Sequence, residues 1–209
     1  EIASCLVGSE MCIRDREKGV ELFELLSLLY NQKELLAENK ISSSIGTLKA
    51  EYGKPDREDS SETNRASIAF VWELNDKKIL LLGDATSEVV IEGIKAYKKK
   101  NQIPSDEKIR FDAIKVPHHG SKTNLSKELL KHIDSENWIF CGCTSSAPHL
   151  HTLANIIYST QSDAIQKRRL YFNSTYYKNN IYDMMKAEVA MLKNEGIEIE
   201  VAQINEIAL

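Results

Sequence analysis

Apolar residues along this chain recur with two periods, one helical and one extended. Leu22, Leu25, Leu26, Leu29 and Leu36 fall at helical spacing, which predicts an amphipathic helix over 17–39 with one buried face. Residues 39–65 are polar, with a serine run at 42–44 and Pro55, and read as a connecting loop with one short strand near Ile45. Two apolar runs, 66–74 and 77–82, flank Asn75-Asp76, a hairpin signal. Ile79 to Leu82 is apolar at every position, so that strand should be covered on both faces.

Helices and strands then alternate. Thr86 or Ser87 can cap a helix that turns Val90, Ile94 and Tyr97 to one side and closes on lysines 98–100, where cations suit the negative end of the dipole. A strand over 111–116 follows, then a helix through Leu125, Leu129 and Ile133, and a strand over 138–143. A helix with Leu153, Ile156 and Ile157 leads to a strand over 170–173. The last helix carries Ile181, Met185, Val189 and Leu192, stops at Gly196, and precedes a strand over 197–202. This alternation predicts a layered α/β domain, and the antiparallel hairpin makes its sheet mixed.

Composition changes the picture little. A chain of 209 residues that is 42% hydrophobic and 28% charged suits one globular domain. A net charge of -4 argues against a protein that coats nucleic acid through excess lysine and arginine, but not against an enzyme that holds a phosphodiester through metal. No apolar run is long enough to span a bilayer. The four cysteines form no Cys-x-x-Cys pair; Cys141 and Cys143 alternate in a strand-like run and read as buried thiols, which predicts a reducing, cytoplasmic compartment.

Residues 4–16 have neither period and resemble translated sequencing-adapter read-through. They are set aside as a non-native segment. The expectation is that 17–209 is the C-terminal portion of one domain whose first half lies upstream.

The candidate chemistry sits at strand ends. Gly83-Asp84 closes one buried strand, and Pro117-His118-His119-Gly120-Ser121 closes the next. One crossover unit separates them, so both should reach the same end of the sheet, where ligands of open α/β folds bind. Asp84 alone would read as a turn or cap residue. Adjacent histidines after a strand are seldom both core residues, and one can ligate a metal while the other works as acid, base or phosphate contact. Pro148-His149-Leu150-His151 repeats the placement one strand later, as an H-x-H for metal or anion binding or as the start of a helix, with His149 the stronger candidate. His132, near a helix end, reads as a structural residue whose protonated ring offsets the dipole.

The order Asn64-Arg-Ala-Ser67, apolar strand, Leu82-Gly-Asp84, helix, Asp112-x-x-Lys-Val-Pro-His-His-Gly-Ser121 resembles the C-terminal half of ComEC-type competence hydrolases of the metallo-β-lactamase fold. The likeness spans roughly 64–157. It implies a partial αββα metallo-β-lactamase fold, with Asp84 and His119 as metal ligands, His118 catalytic or facing substrate, and His149 at the cleft rim. Ala147-Pro148-His149 departs from the family's Gly-His-Pro. The resemblance further implies two divalent ions, zinc by default and manganese second, and a metal-bound hydroxide attacking a phosphodiester of nucleic acid. The family's first metal motif, His-x-His-x-Asp-His, occurs nowhere in the chain, so the fragment alone should be a poor or inactive enzyme. Three rivals stand beside this reading. One is a hydrolase of a small ester, such as a phosphocholine ester or lactone; another is a non-catalytic binding or regulatory remnant; the third is a plain α/β structural module, for which His-His-Gly-Ser and Gly-Asp are coincidence.

Overall fold

The computed structural model describes residues 47–141, 148–159, 167–173, 185–186, 188–194 and 196–203. The expected helix over 17–39, the strand near Ile45, the segment 4–16, Cys143 and Ile181 lie outside them.

The Asn75-Asp76 signal makes the hairpin it predicts. Both residues have positive φ, 50° and 62°, a backbone that matches the twist of paired strands. Strand β1 (Phe70–Leu74) therefore lies antiparallel to β2 (Lys77–Leu81). A chain with an apolar strand, a helix and another apolar strand can pair the strands in parallel only by crossing over. This happens through the helix Ser87–Lys100, which brings β4 (Ala113–Lys115) alongside β2 with Leu81 opposite Lys115. Strands β6 (Asn137–Phe140), β7 (Lys167–Phe172) and β8 (Glu198–Gln203) extend the sheet in parallel. The order β1-β2-β4-β6-β7-β8 is a mixed sheet with a single antiparallel edge among the described residues, flanked by helices.

The sheet is fully buried on one face only, where cover on both was expected for Ile79–Leu82: along β2, β6 and β7 the buried positions alternate with half-buried ones such as Ile79, Leu81, Ile139 and Tyr171. Leu80, Leu82, Ile114, Val116, Trp138, Phe140, Leu170 and Phe172 are all buried. Phe140 and Phe172 sit opposite each other in register and stack with ring centres 4.7 Å apart. Trp138 is buried because its indole N–H donates to the Ser135 carbonyl at 2.8 Å.

Further expectations need correction. The polar stretch 39–65 holds two helices, α1 (Thr47–Tyr52) and α2 (Glu62–Arg65). Leu48 of α1 is buried, and Tyr52 packs against Tyr158 of a later helix at 5.5 Å. With α1 and α2 placed, the crossover helix Ser87–Lys100 is α3, and the later helix Leu150–Tyr158 is α4.

The expected strand 111–116 is split. Ile109–Phe111 forms β3, and Asp112 separates it from β4. The Asp112 carboxylate accepts the Lys78 backbone N–H at 2.8 Å; that bond, with help from Lys77 against a desolvation cost, holds the carboxyl below its ordinary range.

The expected helix through Leu125, Leu129 and Ile133 is a short 3₁₀ turn, Leu129–Lys131, followed by strand β5 (Ile133–Ser135). β5 pairs with β3 in a second, two-stranded sheet. His132, at the end of the 3₁₀ turn, is therefore not a charged dipole partner: burial and the nearby Lys98 charge push its pKa down and favour the neutral ring.

Candidate functional site

The C-terminal ends of β2, β4 and β6 meet at one edge of the fold. Gly83 has φ 52°, a backbone that a side chain would strain, and an added Cβ would lie 2.7 Å from Ser67 Oγ and 2.8 Å from the Ile68 carbonyl. The turn is tight because Ser67 Oγ accepts the Asp84 N–H at 2.9 Å. Asn64-Arg-Ala-Ser67 thus buttresses the loop that carries Asp84. Among the described residues, the half-buried Asp84 carboxylate itself has no hydrogen-bond or ion-pair partner.

The next turn is strained. His118 (φ 45°, ψ 48°) and His119 (φ 57°, ψ 14°) are both left-handed, and Gly120 follows at φ 87°. Each non-glycine residue held there costs about 1–2 kcal/mol. The surrounding bonds hold it. The His118 N–H donates to the Gly83 carbonyl at 3.0 Å, and Lys115 Nζ donates to the same oxygen at 3.0 Å. The loops bearing Asp84 and the two histidines are therefore bound at one atom.

Each ring has a defined role. His119 Nδ1 lies 2.6 Å from the Cys141 carbonyl, an acceptor only, so the ring donates from Nδ1 and in its neutral form leaves the Nε2 lone pair open. This orientation by a backbone carbonyl is what metal-binding histidines show. His118 Nδ1 faces Asn124 Oδ1 at 3.2 Å, Asn64 Nδ2 at 3.3 Å and Asp59 Oδ2 at 3.7 Å. The amide oxygen and the carboxylate outweigh the single amide donor, which assigns the proton to Nδ1 and leaves Nε2 as the acceptor.

Asp59 was not foreseen, since a lone acid in a polar stretch gives no periodic signal. It accepts Asn64 Nδ2 at 2.6 Å, the Ser61 N–H at 2.9 Å and Asn124 Nδ2 at 3.0 Å. Desolvation works to raise its pKa, but these bonds and the His118 ring outweigh it and hold the carboxyl below its ordinary value. Asn124, fully buried, binds Asp59, the Asp84 carbonyl and His118 together.

His149 and His151 do not act as a pair. His149 caps α4: its ring Nδ1 accepts the His151 N–H at 3.1 Å, and its own N–H donates to the Gly120 carbonyl at 2.9 Å. The candidate rim residue is thus attached to the histidine turn. Burial, then the Lys122 charge, lowers its pKa and favours the neutral ring. His151 is inside the helix and buried, with Nδ1 2.9 Å from the Glu51 carbonyl and Nε2 2.9 Å from Asp56 Oδ1, so it is a structural tie. Of the two earlier readings of H-x-H, the helix start holds.

Asp84 and His119 suit two donors of a metal centre, yet the described residues include no cluster of three or more His, Cys, Asp or Glu side chains able to hold an ion. Two donors do not complete a centre. Among the described residues no helix is long and apolar enough to cross a membrane. Comparison of the chain with known protein families, with curated proteins and with solved structures gives no match.

Proposed function

We propose that the chain carries the C-terminal part of a metal-dependent hydrolase of the metallo-β-lactamase fold, acting on a phosphodiester or a related ester. The observation that supports this most is the shared Gly83 carbonyl. It joins an Asp84 carboxylate that has no partner among the described residues to a strained His118-His119 turn whose second ring is oriented as a ligand's would be. Strain of this kind collects at functional sites. The remaining ligands would come from the first-half motif His-x-His-x-Asp-His that the resemblance implies.

When bound, the metal ions, zinc by default and manganese second, would supply a nucleophilic water at neutral pH. Asp84 and His119 would hold them. The chain's own part in the reaction is proton handling and orientation. His118 Nε2 takes or returns a proton while Nδ1–H stays on Asn124 Oδ1. Asp59, ionised at neutral pH, stabilises the protonated ring, and Asn124 holds the distance between them. Nucleic acid is the favoured substrate, with a small phosphoester or lactone second.

The test is to resequence the source DNA across the 5′ end of the reading frame, express the chain so obtained, and measure bound metal and hydrolysis of bis(p-nitrophenyl) phosphate. Bound zinc or manganese, with turnover lost in Asp84→Asn, supports the reading. A frame without the first metal motif, and a protein that binds no metal, sinks it and leaves a binding or regulatory role.

A further inference from the structure

A second feature adjoins the histidine turn. The His149 N–H donates to the carbonyl of Gly120, the residue after His119, and His149 itself lines a pocket. The pocket has a volume of about 300 Å³, and its polar walls include Lys54, Arg57, Lys122 and His149. Its charges are unbalanced. Three cationic side chains line it against one carboxylate, Glu51, which is already bound to Lys54. Nearby Asp56 is occupied by His151, by Asn155 Nδ2 and by the Lys127 N–H.

Arg57 and Lys122 form no ion pair among the described residues, and Lys122 is half-buried. Cations gathered at one pocket with a single carboxylate raise the local positive potential, which a bound anion relieves. His149 adds a neutral donor. Its Nδ1 accepts the His151 N–H, so its proton sits on Nε2. Guanidinium, ammonium and imidazole N–H together match a tetrahedral oxyanion with several acceptor oxygens. The volume exceeds that of one phosphate group, leaving room for part of what the phosphate is attached to.

We propose that this pocket, walled by Lys54, Arg57, Lys122 and His149, binds a non-reacting phosphate of the substrate and holds the scissile ester toward Asp84 and His118. This rests on the phosphoester reading above, and names the subsite that would orient such a substrate. It also reconciles a net charge of -4 with a polyanionic ligand, since the positive charge is local.

The test is binding by the full chain in EDTA, where metal-dependent turnover cannot occur. The probes are a fluorescein-labelled single-stranded oligonucleotide, with inorganic pyrophosphate and phosphocholine as competitors. Lys122→Met and Arg57→Met are compared with Lys100→Met, a substitution in an exposed lysine at the end of α3. Each pocket variant should weaken oligonucleotide binding about fivefold or more and reduce the salt slope by roughly 0.7 per lost phosphate contact. His149→Gln, which keeps an N–H donor, should retain more affinity than His149→Ala.

If pyrophosphate or phosphocholine binds with the same variant dependence and the oligonucleotide does not, the pocket stands and its phosphate belongs to a small phosphoester. Failure of all three probes to bind overturns the proposal, as does affinity in both pocket variants equal to that of Lys100→Met. The two readings fail separately: oligonucleotide binding with this variant dependence, in a wild-type chain that takes up no metal and shows no turnover, retains the pocket and removes the hydrolase.

Discussion

The backbone N–H of His118 and the carbonyl of Gly83 meet at 3.0 Å, although 34 residues and a whole crossover helix separate them in sequence. That bond converts two ordinary strand-to-loop turns into one rigid edge. Its geometry depends on a left-handed Gly83 on one side and a left-handed histidine on the other. Each would be an unstable conformation alone.

Gly83→Ala should therefore be costly in a way Gly93→Ala is not. At Gly83 a methyl would meet Ser67 Oγ and the Ile68 carbonyl and would also force the positive φ. The expected loss is about 2–4 kcal/mol, read as a lower urea midpoint. Gly93 is exposed within α3 and an added Cβ there meets nothing within 4 Å. Its replacement by Ala should stabilise by about 0.5–1 kcal/mol through helix propensity. Equal effects at the two positions would show that the Gly83 turn is not as tight as described.

Asp59 gives a pH dependence whose sign is fixed. Its folded pKa lies below the ordinary 3.8, so its contribution is fully present above that value and is lost as pH falls through the lower folded value. Asp59→Asn puts an amide where three N–H groups donate and should cost about 1–3 kcal/mol at pH 7. The gap between variant and wild type should narrow only below about pH 4. Denaturation curves collected from pH 7 to pH 3 would show it, and a gap constant across that range would remove the carboxylate's role.

How much of this was legible in the chain depends on which force decided each element. Asn75-Asp76, the apolar run ending at Leu82, and Val90 with Ile94 on one helical face are local signals, and local structure follows them. So does the delivery of Asp84, His118 and His119 to one edge, since a crossover unit leaves the chain little choice. Leu125, Leu129 and Ile133 misled because their spacing fits a helix, whereas β5 is set by pairing with β3 through Ile109 opposite Ile133. Long-range pairing carries no local period. Asp59 and Asn124 escaped for the same reason: they matter through contacts up to 65 residues apart.

Arg168 and Asp134 illustrate such a contact. Arg168 of β7 lies 3.0 Å from Asp134 of β5, and both side chains are almost wholly buried. The pair ties the two-stranded sheet to the main one. Arg168→Met alone would take a guanidinium away from a buried carboxylate and should cost about 3–5 kcal/mol. Adding Asp134→Leu should return about 2 kcal/mol or more of that loss, because replacing a buried pair by apolar groups is often near neutral. A double variant less stable than Arg168→Met would show that the pair matters for more than charge compensation.

The sharpest check on the site is the position of individual ring protons. His119 donates from Nδ1 to the Cys141 carbonyl, whereas His149 accepts at Nδ1 from the His151 N–H. Neutral His119 should therefore carry its proton on Nδ1, and neutral His149 on Nε2. Long-range ¹⁵N–¹H correlation spectra at pH 8 distinguish the two tautomers directly, since protonated and bare ring nitrogens resonate far apart. The same spectra should show His149 titrating below the ordinary histidine value, because burial and then Lys122 disfavour its charged form, and Lys122→Met should move it part of the way back up. An Nε2 proton on His119 would take the lone pair from the atom that a metal needs. It would remove the strongest structural support for a ligand at that position while leaving the fold untouched.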